Sequence, residues 1–332
     1  MLNTLPVRQP SGRMDLSRPL RPFDRFQQRH AVLAIPIAVL RKFSDDQAGG
    51  YAALIAYYAF VAIFPLLLVF TTALGFVLQD NQEAYDKVLN TTLAQIPVIG
   101  ESVRNQTLRG NGLALVVGLV GTLLAGLGVT VAAQNALNHV YAVPRRRRPD
   151  PIMSRLRGLA ILLVLGVLQV VSTVVSGLAA GGLGSMWTQT GGLGVSLIVN
   201  AVLFTAAFRV LVNSVIPTSE LWPGVALATV GWTALQALGG IYVTHVIAGA
   251  TSTYGTFATV LGLIAWLYLG ARVVVYAAEI NTVLSRRLWP RSLFTPPVLE
   301  ADRRVLTDMA KAQARIDEEH IEVRFDEPGK PT

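Results

Sequence analysis

Between Gly50 and Leu284 the chain returns six times to apolar stretches of about twenty residues or more, the length a helix needs to cross a hydrocarbon core of about 30 Å. They run roughly from Gly50 to Leu78, Leu113 to Leu137, Leu156 to Gly182, Leu193 to Val212, Trp222 to Ile247 and Tyr254 to Leu284. In lipid each backbone polar group has to be satisfied within the chain, and an apolar segment of this length does so as a helix. The predicted fold class is therefore all-α, a polytopic membrane protein built as a bundle of six transmembrane helices. A seventh apolar run, Ala31 to Leu40, contains Pro36 and is too short to span. Arg25, Arg29, Arg41 and Lys42 flank it, so it is predicted to lie along the interface as an N-terminal amphipathic helix.

Composition agrees with this class. Of 332 residues 52% are hydrophobic and 14% charged, too apolar for a soluble domain of this size. The absence of cysteine excludes disulfides and thiolate metal sites. The net charge of +8 does not point to nucleic acid, because the arginines flank apolar runs, where topology and anionic lipid account for them. Eight Lys/Arg precede Gly50 and six lie between Tyr141 and Arg157, whereas the connection Gln79 to Gly112 holds three, offset by four acidic residues. With basic loops inside, an even number of spans places both termini in the cytoplasm of a cell bounded by this plasma membrane. The expected organisation is a flexible basic tail over 1–29, a membrane domain over 30–288 and a charged, partly helical, solvated tail over 289–332. Arg145, Arg146, Arg147 and Arg148 are expected to meet anionic headgroups. The outer connection 79–112 is expected to carry two short helices, as a lid, a partner surface or a simple packed hairpin. A homo-oligomer or an envelope protein partner is left open.

Polar residues inside the spans are costly and call for a reason. Arg272 and Glu279 interrupt the last span, seven residues apart and on nearly one face, too far from each other to bond on a straight helix. Arg209 falls in the inner half of the fourth span, and the expected partner of Glu279 is Arg209. The second span ends in Gln134, Asn135, Asn138 and His139. With Asn281, Tyr57 and Tyr58 these residues are predicted to border a polar cavity open to the cytoplasm. The competing reading has Glu279 and Asn281 marking the headgroup boundary while the arginines snorkel to it. Pro65 should kink the first span, as a hinge or as a fixed bend. Gly118, Thr122 and Gly126, and Ser172, Ser176, Ala180 and Gly184, offer small-residue helix contacts. The four histidines are scattered, without the spacing of a metal site, and no phosphate-binding loop appears, so neither metal, cofactor nor catalytic residue is expected.

Several ordered motifs resemble one family. Ala52-Ala53-Leu54 and Ala56-Tyr57-Tyr58 lead into Phe64-Pro65-Leu66-Leu67-Leu68, Gln134 to Pro144 reads QNALNHVYAVP, and Ile216-Pro217 precedes Trp222-Pro223-Gly224. The chain closes with Tyr254-Gly255, Trp266-Leu267-Tyr268 and Ala278-Glu279-Ile280-Asn281. Together they resemble the YihY/virulence factor BrkB family over about Asp45 to Leu288. Ala277 stands where that family usually has glycine, and Arg272 where an uncharged residue is expected. The resemblance implies a multi-span inner-membrane protein without an assigned reaction, from a group once labelled ribonuclease BN. The label conflicts with the missing His/Asp cluster. The function expected is to move, or help to move, a lipid or solute through the polar cavity. The alternative is a non-transporting envelope scaffold or assembly factor.

Overall fold

The computed structural model describes residues 17–77, 112–164, 166, 185–214, 216–242, 255–294 and 298–325. Among them the secondary structure is helical, without a strand. The helices are α1 (Ser17–Gln28), α2 (Ala31–Asp45), α3 (Ala48–Val77), α4 (Gly112–Val140), α5 (151–164), α6 (Ser185–Leu211), α7 (Thr218–Ile241), α8 (Thr256–Ser285) and α9 (Glu300–Lys311). Among the described residues four segments are long and apolar enough to cross a membrane: Ala48–Ala73, Gly112–Val140, Thr218–Gly239 and Phe257–Ser285. A shorter apolar segment, Ser196–Leu211, belongs to α6, and α5 covers the first residues of the expected third span. Ser172, Ser176, Ala180 and Gly184 of that span, and residues 79–111 of the outer connection with its expected helices, lie outside the described residues.

Small residues set the packing. Gly118, Gly121 and Gly128 of α4 face Val69, Pro65 and Tyr58 of α3 in that order, so the two helices run antiparallel at close range. Gly231 and Gly270 bring α7 and α8 together in the same way, against Val273 and Trp232. Helix α3 continues through Pro65, whose ring lies against Gly121. Each long helix keeps apolar side chains on its outer face, such as Leu124, Val230 and Phe257, as a lipid-facing surface should.

The short connections 141–150 and 212–217 bring the ends of α4 and α6 and the starts of α5 and α7 to one end of the bundle, where α8 also finishes. This is the basic end, and α2 and α9 close over it. Helix α2 extends five residues beyond the apolar run expected, to Asp45. It presents Val32 and Leu40 outward while burying Ala34, Ala38, Val39 and Lys42. The described parts of the first tail, expected to be flexible, and of the partly helical second tail each make contacts with the rest of the bundle. In α1, Gln27 donates to the Arg291 carbonyl at 2.8 Å, and Val305 of α9 is buried with Val39, Val283 and Leu288. Both charged segments hold apolar or hydrogen-bonding faces, that of α1 against the chain just beyond α8 and that of α9 against Val283 and Leu288, and charge counting alone does not register such faces.

Candidate functional site

The polar residues gathered at the basic end form a closed, hydrogen-bonded knot. Lys42, buried near the end of α2, points its ammonium at three acceptors: Asp46 Oδ2 at 2.5 Å, the Val140 carbonyl at 2.9 Å and Glu279 Oε2 at 3.0 Å. Three N–H bonds match the three donors an ammonium carries. Glu279 is fully buried, so its charge depends on this partner. The expected pairing of Arg209 with Glu279 is not made. Arg209 sits at the exposed end of α6 and hydrogen-bonds the Thr218 hydroxyl, whereas α2 carries Lys42 under the bundle to the carboxylate. The spacing of Lys42 and Asp46, one helical turn apart, was the signal in the sequence for a charge pair at this place.

A second set of bonds ties three of the sequence motifs to one another. Asn281 Oδ1 accepts the backbone N–H of Gly224 at 2.6 Å, and its Nδ2 donates to the Tyr141 hydroxyl at 3.0 Å. Gly224 has to be glycine, because a Cβ there would run into the Ala277 carbonyl and the Asn281 carboxamide. Tyr141, just beyond the end of α4, is buried, and burial pushes its hydroxyl up to about 12, with the Asn281 hydrogen bond working in the opposite direction. Arg286 donates to the Tyr141 carbonyl at 2.6 Å and to Asp308 of α9 at 2.9 Å. Asn138 is buried too: it donates to the Gln134 and Leu211 carbonyls and accepts the Asn213 N–H at 2.7 Å. Gln134 donates to the Ser154 carbonyl at 2.7 Å, joining α4 to α5.

The remaining residues expected at a polar cavity are dispersed. Tyr57 and Asn135 are exposed, and Tyr58 packs on Gly128. Arg272 lies among the rings of Phe43, Tyr268 and Tyr276, 5.4 to 5.7 Å from their centroids, and donates to the Tyr276 hydroxyl at 3.0 Å. Of the run Arg145 to Arg148, Arg148 turns inward to the Val143 carbonyl and Arg146 reaches Asp317, while Arg145 and Arg147 are exposed.

The large cavity lies elsewhere, in the middle of the bundle. It has a volume of about 740 Å³ and takes its walls from α3, α4, α6, α7, α8 and the segment that α5 begins. Phe204, Phe208, Trp232 and Trp266 are its largest lining side chains, and Thr130, Asn200 and Gln236 supply its polar groups. None of the residues expected to border a polar cavity lines it. Sequence reading missed it because its walls are apolar residues inside ordinary spans, and a concavity shared by six segments leaves no local pattern.

No solved structure matches the chain. Among curated proteins, the ribonuclease-like protein YfkH of Bacillus subtilis is 27% identical over 259 residues, 74% of this chain and 93% of that protein. Inner membrane protein YhjD of Escherichia coli K12 is 25% identical over 279 residues, 76% of this chain and 81% of its own. A UPF0761 membrane protein of Alkalilimnicola ehrlichii is 26% identical over 262 residues, 75% of this chain, which spans 58% of that longer relative. The family model described as virulence factor BrkB matches residues 39–297, well over half of the sequence, and the chain belongs to that membrane protein family.

Proposed function

We propose that the chain is an inner-membrane protein with six spans and cytoplasmic termini that moves, or helps to move, a lipid or an amphiphilic solute by way of its central cavity. The observation that carries this reading is the cavity of about 740 Å³. That size lies within the range of about 300–1,000 Å³ typical of ligand pockets. Its lining is Ile, Leu, Val, Ala, Phe and Trp, with an amide at Asn200 and at Gln236 and a hydroxyl at Thr130, and no charged group among the described residues. A free ion would find no compensating charge there, whereas a hydrocarbon chain bearing a polar group would find both surfaces it needs. The basic connections on one end of the bundle support a cytoplasmic placement of the termini. The similarity to inner membrane protein YhjD supports the inner membrane.

The test is flux. Purified full-length protein in liposomes should scramble a fluorescent phospholipid or pass an osmolyte faster than protein-free vesicles. Ala207→Trp, which fills the cavity from α6, should abolish the difference. Flux untouched by that filling would refute the reading, as would no flux with any envelope lipid or osmolyte.

The hydrogen bonding at the basic end favours a second reading. Lys42, Glu279, Asn138 and Asn281 spend their polar atoms largely on one another and on backbone groups, as a rigid platform requires. A non-transporting envelope scaffold would show a fixed partner on co-purification and no flux in vesicles.

A further inference from the structure

A groove of about 460 Å³ runs down the outside of the bundle between α6 and α7, apart from the central cavity. Ile198, Ala201 and Thr205 form one wall at the three- and four-residue spacing that keeps side chains on one helix face, and Trp222, Ala226 and Val230 form the other. Ile198, Trp222 and Val230 are 66%, 67% and 62% exposed, so the groove is open to whatever surrounds the bundle. The next residue on this face of α6 after Thr205 is Arg209. Its guanidinium bonds the Thr218 hydroxyl at the start of α7 and so lies across the head of the groove, which Thr218 also lines. Beside it is a second hollow of about 420 Å³, lined by Arg157, Arg209 and Asn213. Arg157 donates to Asn213 Oδ1 at 2.5 Å, and among the described residues neither arginine has a carboxylate partner.

We infer that this is a binding site for one anionic phospholipid, its phosphate between Arg157 and Arg209 and an acyl chain in the groove between α6 and α7. A free anion would leave the apolar groove unexplained, and a lipid without net charge would leave two cations uncompensated. The dimensions agree. From Ile198 to Arg209 is eleven residues, about 16 Å of helix rise, and one leaflet of a core of about 30 Å is about 15 Å deep. With the far end of the groove at the bilayer midplane, Arg209 stands at the headgroups, and Trp222 occupies the interfacial level that tryptophan favours. The site faces outward on the bundle, so it holds whether or not the central cavity carries a cargo. It also differs from the arginine run at Arg145 to Arg148, two of whose side chains are engaged within the chain.

Native mass spectrometry of the delipidated full chain, supplied with phosphatidylglycerol, phosphatidylcholine or inorganic phosphate, tests the site. One phosphatidylglycerol per chain should be held in preference to phosphatidylcholine. The Arg157→Gln/Arg209→Gln variant should lose about 30-fold in that affinity, the equivalent of about 1 kcal/mol for each basic residue facing an anionic lipid. Ala201→Phe, which obstructs the groove and leaves both arginines, should lose affinity as well. Arg287→Gln, an exposed arginine elsewhere at the basic end, should change nothing. Equal retention of phosphatidylcholine, phosphate binding as tight as the lipid, or retention unaltered by either site variant would each overturn the inference. Should the double variant fail to fold, Ala201→Phe and the comparison of the three ligands decide.

Discussion

Replacing Lys42 with methionine separates the roles of the three charges at the foot of the bundle. One ammonium there serves two buried carboxylates, Asp46 at 2.5 Å and Glu279 at 3.0 Å. Without it both carboxylates remain buried beside each other with no cation in contact. Breaking a buried pair by removing one partner costs about 3–5 kcal/mol, and Lys42→Met belongs at the upper part of that range. Glu279→Gln is a milder change. Lys42 keeps Asp46 and the Val140 carbonyl, and its ammonium can still donate to the glutamine amide oxygen, so an ion pair becomes an ion–dipole bond and the loss stays below the about 1.5–3 kcal/mol that a hydrogen bond to a charged group carries. Combining the two removes the second carboxylate from the unpaired site, so the double variant should be no less stable than Lys42→Met alone. Unfolding of the full chain in mixed micelles, followed by tryptophan fluorescence against denaturing detergent, measures all three. Additive losses, or a larger loss for Glu279→Gln than for Lys42→Met, would refute the reasoning.

Asn281→Ala should cost about 1–3 kcal/mol in the same assay, because it strands the Gly224 N–H and the Tyr141 hydroxyl. Gly224→Val should cost at least the about 1–3 kcal/mol of an overpacked contact, since its side chain would meet the Ala277 carbonyl, and thermal denaturation in detergent reads the loss. Arg291→Met removes the cation that holds Asp302 at 2.5 Å and Asp45 at 2.7 Å, and protease cleavage within α9 should accelerate while the spans stay intact. Tyr141 supplies a pH dependence. Its folded-state value of about 12 lies above the ordinary value near 10, so the fold favours the neutral phenol. Stability is then at full strength below pH 10 and falls as the pH climbs toward 12, by about 1.4 kcal/mol per unit from this group, and Tyr141→Phe should remove that slope.

Much of the helical framework was legible because the membrane imposes a coarse rule: a run such as Ala48–Ala73 has to be a helix and has to be long. Small residues at four-residue spacing were legible too, since Gly118 and Gly126 do sit against neighbouring helices, at Val69 and Leu162. The polarity of the basic end was visible in the composition of the last span and the end of the second. What that polarity does was not. Lys42 and Glu279 are 237 positions apart, and nothing near either one names the other. The expected extent of α2 stopped at Leu40, where apolarity ends, although Arg41 to Asp45 continue the helix with no residue to break it. Those five residues carry Lys42 beneath the bundle. Arg209 drew attention as a charge in a span, but its level at the end of α6 sends it outward to Thr218.

The separation of Lys42 from Glu279 also has a meaning in time. The lysine is made 237 residues before its buried carboxylate, which at about 5–20 residues per second is roughly 12 to 50 seconds of synthesis. Arg291 reaches back still further, to Asp45, 246 residues earlier in the chain. The foot of the bundle therefore cannot close until the last span has been inserted and the segment after it has been released. Asp46, one turn along from Lys42, is a counterion for which the lysine does not have to wait. A segment made before the long helices is thus among the last to reach its final contacts.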